Sequence, residues 1–193
     1  MTNEPRASRF VQPSGPGNAS GALLIRGGRV VDPANGVDAV LDVLIEDGLV
    51  VKVGERLAPG RFAETLDAEG LVVAPGFVDL HAHLREPGRE HEETIASGTR
   101  AAAAGGFTTV CALPDTDPVV DDAAAAAFVV RRIRETAVVR VHPYGALSRG
   151  RKGVELAEIG SMKHEGIVAL SDAPRAVANG NLVRRALEYA SMF

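Results

Sequence analysis

Cysteine is scarce in this sequence, and that scarcity limits the classes of protein to which it can belong. A single cysteine, Cys111, occurs in 193 residues, so an intramolecular disulfide is impossible and a reducing compartment, the cytoplasm, is expected. Long apolar runs are also missing: none reaches the roughly 18 residues of a membrane-spanning helix. The first 20 residues lack the apolar stretch of a secretory signal. We therefore expect no association with a membrane.

An excess of positive charge is absent as well. The formal net charge is −4, from 21 Lys and Arg against 25 Asp and Glu residues, which argues against nucleic acid as a partner. The composition, 46% hydrophobic and 24% charged, is typical of a chain that builds a packed core. Residues 1–20 are the exception, because their Pro, Gly, Ser and Asn residues offer little apolar surface and predict a flexible tail.

Residues 21–75 have the pattern of a small β domain. Short apolar segments alternate with turn residues throughout this stretch. Two of these segments are separated by Glu46-Asp47-Gly48, and Asp-Gly is a strong hairpin signal. The sequence therefore predicts short strands joined by tight turns.

From residue 76 to residue 193, short apolar segments alternate with helical ones, which predicts a parallel sheet covered by helices. Strands are predicted at 77–81, 107–113, 137–147 and 167–172, and helices at 92–106, 121–136, 152–166 and 181–193. Four strand–helix units fit either a doubly wound open sheet or a (β/α)8 barrel. A barrel needs about 250 residues, so this region would form only the first four units of one.

The strongest chemical signal is the segment VDLHAHLREPG, residues 78–88. Side chains alternate between the two faces of a strand, so Asp79, His81 and His83 are expected on one face. Two imidazoles on one face can bind the same ion, and imidazole is a common zinc ligand. Asp79 could orient one of the rings. The alternative is a pair of ordinary polar histidines, but the apolar strand before them and the arginine after them favour a metal site.

This segment gives the sequence a resemblance to a known family. Residues 75–88, PGFVDLHAHLREPG, together with residues 91–118, resemble class I dihydroorotases of the amidohydrolase superfamily, a group of metal-dependent hydrolases. The similarity extends from about Leu23 to Phe193. The His-x-His pair marks the superfamily. The arginine two residues later marks the dihydroorotase branch, because that enzyme must hold a substrate carboxylate. The chain resembles the N-terminal portion of such an enzyme.

The resemblance implies a fold, a cofactor and a reaction. The fold would be α/β, the first half of a (β/α)8 TIM-like barrel preceded by a small β-sandwich, with two zinc ions per complete site. His81 and His83 would bind zinc, and Arg85 would pair with the substrate carboxylate. His83 and Asp115 would also contact the substrate. The implied reaction is the reversible, zinc-dependent cyclisation of N-carbamoyl-L-aspartate to dihydroorotate and water, a step of pyrimidine biosynthesis.

Two positions depart from the family's pattern. After the second barrel strand the family has Pro-Asn-Thr, and this chain has Asp115 in place of the asparagine. A carboxylate there is expected to repel a bound carboxylate. After the fourth strand, the family's bridging aspartate aligns with Ala173, which has no ligand atom. The preceding Asp172 could serve as a metal ligand only if the backbone shifts.

The rest of the implied site, two histidines and the aspartate that accepts the proton, is expected beyond Phe193, so no catalytic residue is predicted within this chain. A catalytic zinc site has about three protein ligands, and we expect the chain alone to be inactive. Two alternatives remain open: a non-catalytic partner of aspartate transcarbamoylase, which Asp115 and Ala173 favour, and a hydantoinase- or allantoinase-type cyclic amidase, which Arg85 disfavours. Half a barrel also exposes a strand edge, which predicts pairing with a second copy or a partner.

Overall fold

The computed structural model describes residues 21–58 and 63–193. They form two compact units, one ending at Gly76 and the other running from Phe77 to Phe193. The flexible tail predicted at residues 1–20 lies outside the described residues. Within the described ranges, no helix is both long and apolar enough to cross a membrane.

The first unit is a five-stranded sheet. Its strands are β1 (Ala22–Asp32), β2 (Val37–Glu46), β3 (Leu49–Gly54), β4 (Ala63–Asp67) and β5 (Val72–Val73). The order is β3-β2-β1-β4, with β5 also pairing with β1. β2 and β3 form the predicted hairpin, and its turn residues Asp47 and Gly48 have φ angles of 50° and 77°. Two positive φ angles are what a tight hairpin turn with the right twist requires.

The second unit is a four-stranded parallel sheet with helices. Its elements are β6 (Phe77–Ala82), α1 (Ile95–Ala104), β7 (Phe107–Ala112), α2 (Ala123–Thr136), β8 (Arg140–Gly145), α3 (Ile159–Glu165), β9 (Ala169–Leu170) and α4 (Gly180–Ala190). The strand order follows the chain, β6-β7-β8-β9. A doubly wound sheet reverses its order at a switch point, so the sequential order identifies a curled half-barrel. The α/β half-barrel predicted from the sequence is confirmed.

Local signals explain where the helices begin and end. The Thr94 side chain caps α1 by accepting a 3.0 Å hydrogen bond from a first-turn backbone N–H, and Asp122 does the same for α2 at 2.8 Å. Such caps satisfy donors that have no partner inside the helix. At the other end, α1 stops at Gly105, the first of the two glycines that close the helix predicted at 92–106, and α3 stops at Gly166 in the left-handed conformation.

The prediction of a helix at 152–166 is wrong for its first half. A 3-10 turn at Arg149–Arg151 and a bridge between Ser148 and Leu156 precede α3, which begins only at Ile159. Gly153 has a φ of 68°, a left-handed conformation that glycine adopts freely and that an α-helix excludes. The segment therefore turns back on the end of β8 before the helix starts.

The core of the second unit lies between the sheet and its helices. Ile133 of α2, Val141 of β8 and Met162 of α3 are each 0% exposed. Burying an aliphatic side chain of this size contributes about 1.5–3 kcal/mol. The packing of these side chains holds the strands of the sheet, and therefore their carboxyl ends, in place.

Candidate active site

The carboxyl ends of β6, β7, β8 and β9 lie along one edge of the parallel sheet, because the four strands run in the same direction. Polar residues follow each strand at this edge: His83 and Arg85 after β6, Asp115 after β7, Ser148 after β8 and Asp172 after β9. Functional residues of barrel proteins gather at this end of the strands. The edge is therefore the candidate site.

Three of the residues predicted to bind substrate form one cluster. Asp115 Oδ2 lies 2.9 Å from His83 Nδ1 and 3.0 Å from Arg85 Nη1. The Asp115 side chain is 7% exposed, whereas those of Arg85 and His83 are 25% and 32% exposed. The buried carboxylate thus ties the segment after β6 to the segment after β7.

Arg85 is held on a second side as well. Its Nε lies 3.2 Å from Glu92 Oε2, so its guanidinium lies between two carboxylates. Arg85 also has a φ of 60°, which is uncommon for a residue other than glycine. No motif points to Glu92, whose only signal in the sequence is its position in the turn-rich segment that follows Arg85.

His81 has a different environment from His83. It is exposed, and its ring centroid lies 5.5 Å from that of His83 at an interplanar angle of 77°. Asp79 Oδ1 accepts a 2.8 Å bond from the His81 backbone N–H, so its recorded contact is with the backbone rather than a ring. Both histidines and Asp79 line a groove of about 340 Å³ beside α1.

Asp172 is buried in a turn at the other end of this edge. Its Oδ1 accepts bonds from Leu147 N at 2.8 Å and Ser148 N at 3.1 Å, and its Oδ2 accepts a bond from the Ser148 hydroxyl. Ser148 was not among the predicted site residues, and its only signal in the sequence is its position shortly after a predicted parallel strand. The carboxylate of Asp172 thus orders the segment that follows β8.

The two predicted imidazole ligands fit part of a zinc site. Imidazole is a donor that zinc binds well, and the rings of His81 and His83 are neighbours. Across residues 21–58 and 63–193, however, no three His, Cys, Asp or Glu side chains are grouped so that they could hold a metal ion. The described residues therefore do not form a complete metal centre.

Burial shifts the pKa values of two titratable groups of β8 in the direction that favours their neutral forms. Burial, and then the nearby positive charge of Arg140, lower the pKa of His142 below its ordinary value. Burial and the neighbouring Cys111 raise the pKa of Tyr144 to about 12. Neither group therefore adds charge to the sheet near neutral pH.

Comparison with known sequences gives consistent matches. The model of a family described as "Dihydro-orotase-like" matches residues 70–193. A dihydroorotase of Citrifermentans bemidjiense is 51% identical over 168 residues, which cover 87% of this chain and 40% of the relative. A dihydroorotase of Anaeromyxobacter sp. strain K is 56% identical over 174 residues, again covering 40% of the relative. The chain thus spans about two fifths of these curated relatives.

Solved structures give the same fold. An L-hydantoinase from Arthrobacter aurescens superimposes with a TM-score of 0.73 at 20% identity, over 88% of this chain and 38% of that one. A dihydropyrimidinase from Brevibacillus agri superimposes with a TM-score of 0.69 at 27% identity, over 89% of this chain and 38% of that one. A crystal structure of a dihydroorotase superimposes with a TM-score of 0.54 at 19% identity, over 89% of this chain and 49% of that one. The likeness at 19–20% identity concerns the fold alone.

Proposed function

Because the chain belongs to the dihydro-orotase-like family, we propose that it forms part of a dihydroorotase. That enzyme closes N-carbamoyl-L-aspartate to dihydroorotate with loss of water, a step of pyrimidine biosynthesis, and the reverse reaction opens the ring by hydrolysis. The observation that carries the proposal is the family match over residues 70–193, which includes His81, His83 and Arg85. The reducing compartment suggested by the single cysteine makes the cytoplasm its proposed location.

In this proposal Arg85 and His83 contact the substrate. Arg85 presents a planar fork of N–H donors, a geometry that suits a carboxylate. It is 25% exposed at the edge of the sheet, so one side of the guanidinium can meet a ligand. Asp115 lies against the guanidinium and holds its orientation. The negative charge of Asp115 also repels a substrate carboxylate.

A zinc ion would be held in part by His81 and His83. When bound, zinc polarises a carbonyl oxygen and activates water for attack. Because the chain spans 40% of the curated relatives, we propose that the remaining ligands and the proton acceptor belong to parts of those relatives that these 193 residues do not cover. The chain's own contribution is to place two imidazoles and the carboxylate-binding arginine at one edge.

A second candidate is a non-catalytic role, in which the chain supports another pyrimidine enzyme such as aspartate transcarbamoylase. The pairing of Arg85 with both Asp115 and Glu92 favours it, because two carboxylates compete with a substrate for one guanidinium. Ala173, which lacks a ligand atom, favours it as well. A second copy of the chain is the other proposed partner.

Zinc content tests the metal proposal. Elemental analysis after equilibration with zinc should find zinc on the purified chain, and none on a variant carrying both His81→Ala and His83→Ala. His91→Ala is the matched control, because His91 is a histidine of the same loop region with its side chain 78% exposed. Equal zinc in all three proteins would overturn the assignment of these ligands.

Ligand choice tests the substrate proposal. NMR signals of the Arg85 guanidinium should shift when L-dihydroorotate, which carries a carboxylate, is added, and should shift much less with uncharged hydantoin. Arg85→Gln should abolish dihydroorotate binding. Equal responses to both compounds would favour a hydantoinase-type amidase instead, and no response to either would favour the non-catalytic role.

A further inference from the structure

Asp115 makes both of its recorded contacts through one atom. Its Oδ2 meets His83 Nδ1 at 2.9 Å and Arg85 Nη1 at 3.0 Å. The carboxylate is almost completely buried, with 7% of its side chain exposed. A buried acceptor shared by two donors is a constrained arrangement, because a donor that turns away removes one of the two hydrogen bonds that stabilise the buried carboxylate.

These contacts determine which nitrogen of His83 carries the proton. Oδ2 of Asp115 already accepts a hydrogen bond from Arg85, and a carboxylate oxygen can only accept. His83 must therefore donate from Nδ1. In the neutral ring, Nε2 is then the nitrogen with the free lone pair.

We propose that Asp115 is a positioning residue that fixes His83 as the Nδ1–H tautomer and so makes Nε2 the atom available to hold a metal ion. Arg85 completes the arrangement by holding Asp115 in place. The tautomer follows from the contacts alone, whereas its use at Nε2 rests on the proposed function. The residue that departs from the family's pattern thus has a role of its own in this chain.

The neighbouring histidine provides an internal comparison. Among the described residues, no hydrogen bond to a ring nitrogen of His81 is recorded, and Asp79 binds its backbone N–H instead. The His81 ring should therefore populate both neutral tautomers, as a solvent-exposed imidazole does. The proposal predicts that Asp115 acts on one histidine of the pair and leaves the other unchanged.

The test is the tautomer of His83 in the metal-free chain, read from ¹⁵N–¹H correlation spectra of histidine-labelled protein. The His83 signal is assigned as the one lost in His83→Asn. In the wild type, Nδ1 should carry the proton, and a wild-type His83 protonated at Nε2 would overturn the proposal before any Asp115 variant is made. Asp115→Ala should move the population towards Nε2–H, while His81 stays as it was.

Two further variants separate geometry from charge. Asp115→Asn keeps one carbonyl oxygen that can accept both bonds, as Oδ2 does now, so it should retain the Nδ1–H tautomer without the negative charge. Asp117→Asn is the matched control, because Asp117 lies two residues away, is exposed and has no recorded side-chain bond to either histidine. An Asp115→Ala chain that is folded and still shows Nδ1–H at His83 would overturn the proposal.

Zinc affinity provides a separate readout of the consequence. Loss of the group that orients a ligating histidine typically costs about 10–100-fold in metal affinity, and Asp115→Ala should show a loss of this size relative to Asp117→Asn. If the wild type binds no zinc while the tautomer responds as described, the proposed metal function fails and the positioning role of Asp115 stands. If zinc binds but the tautomer does not respond, the positioning role of Asp115 fails and the proposed metal function stands.

Discussion

Glu86 and Arg132 join the loop after β6 to helix α2 through a bond of 2.6 Å between Oε1 and Nε. The second oxygen, Oε2, accepts a 2.9 Å bond from the backbone N–H of Ile95, at the start of α1. The Glu86 side chain is only 4% exposed. One buried carboxylate therefore connects the loop that carries His83 and Arg85 to two helices.

Removing this carboxylate should destabilise the second unit. Glu86→Ala leaves the Ile95 N–H and the Nε of Arg132 without their acceptor, while Nη1 of Arg132 keeps its 2.9 Å bond to Glu135, and we expect a loss of about 2–3 kcal/mol in the free energy of unfolding. Urea unfolding followed by circular dichroism measures it. The matched control is Glu188→Ala, because the Arg184–Glu188 pair is 60% exposed on both sides and should change stability by less than about 1 kcal/mol. Equal losses would show that burial of Glu86 is unimportant.

Gly88 should tolerate no side chain. A Cβ at this position would lie 2.0 Å from the carbonyl oxygen of Asp117, and the φ of 94° is itself unfavourable for other residues. We expect Gly88→Ala to lower the free energy of unfolding by about 3 kcal/mol or more. Gly36→Ala is the control, because Gly36 has a φ of 66° with nothing within 4 Å and should cost only about 1–2 kcal/mol. A milder effect at Gly88 than at Gly36 would contradict the steric argument.

The neutral His142 should make stability depend on pH. Its pKa in the folded chain is lowered, chiefly by burial, whereas the unfolded value is about 6.5. Between these two pKa values the unfolded chain binds more protons than the folded chain. The stability that the neutral His142 contributes is therefore complete above about pH 6.5 and is lost as the pH falls below it. Urea unfolding near pH 5 and near pH 7.5 should show a smaller difference for His142→Gln than for the wild type. Identical pH dependence in both proteins would rule out this role for His142.

The exposed apolar residues of the sheet's first strand should promote self-association. Val78 and Leu80 of β6 are 55% and 66% exposed, and a strand edge with such side chains is a site of pairing. We expect the average mass in sedimentation experiments to rise with concentration, and Leu80→Lys to reduce that rise. Val154→Lys is the control, since Val154 is 73% exposed but lies in a loop. A wild-type chain that stays monomeric at all concentrations would refute the prediction.

Features encoded by neighbouring residues could be predicted from the sequence. The Asp47-Gly48 hairpin, the stop of α1 at Gly105 and the alternation of strands and helices each depend on a few adjacent residues, and the structure has all three. The start of α3 could not be predicted this way. It depends on the left-handed Gly153 and on the return of the chain to Ser148, contacts that periodicity does not encode.

The candidate site divides in the same way. His81, His83 and Arg85 were identified because they are close together in one motif. The link to Asp115 could not be foreseen as a hydrogen bond, because it spans 30 residues and depends on the pairing of β6 with β7. Glu92 and Ser148 belong to no motif, and only their contacts with Arg85 and Asp172 identify them.

The sequential order of β6, β7, β8 and β9 also has a consequence for biogenesis. Each strand pairs with the strand synthesised just before it, about 30 residues earlier, the usual length of one βαβ unit. A new strand therefore finds its neighbour already emerged from the ribosome, and no later strand has to insert between two earlier ones. Synthesis and assembly of the half-barrel can proceed in the same direction, one unit at a time.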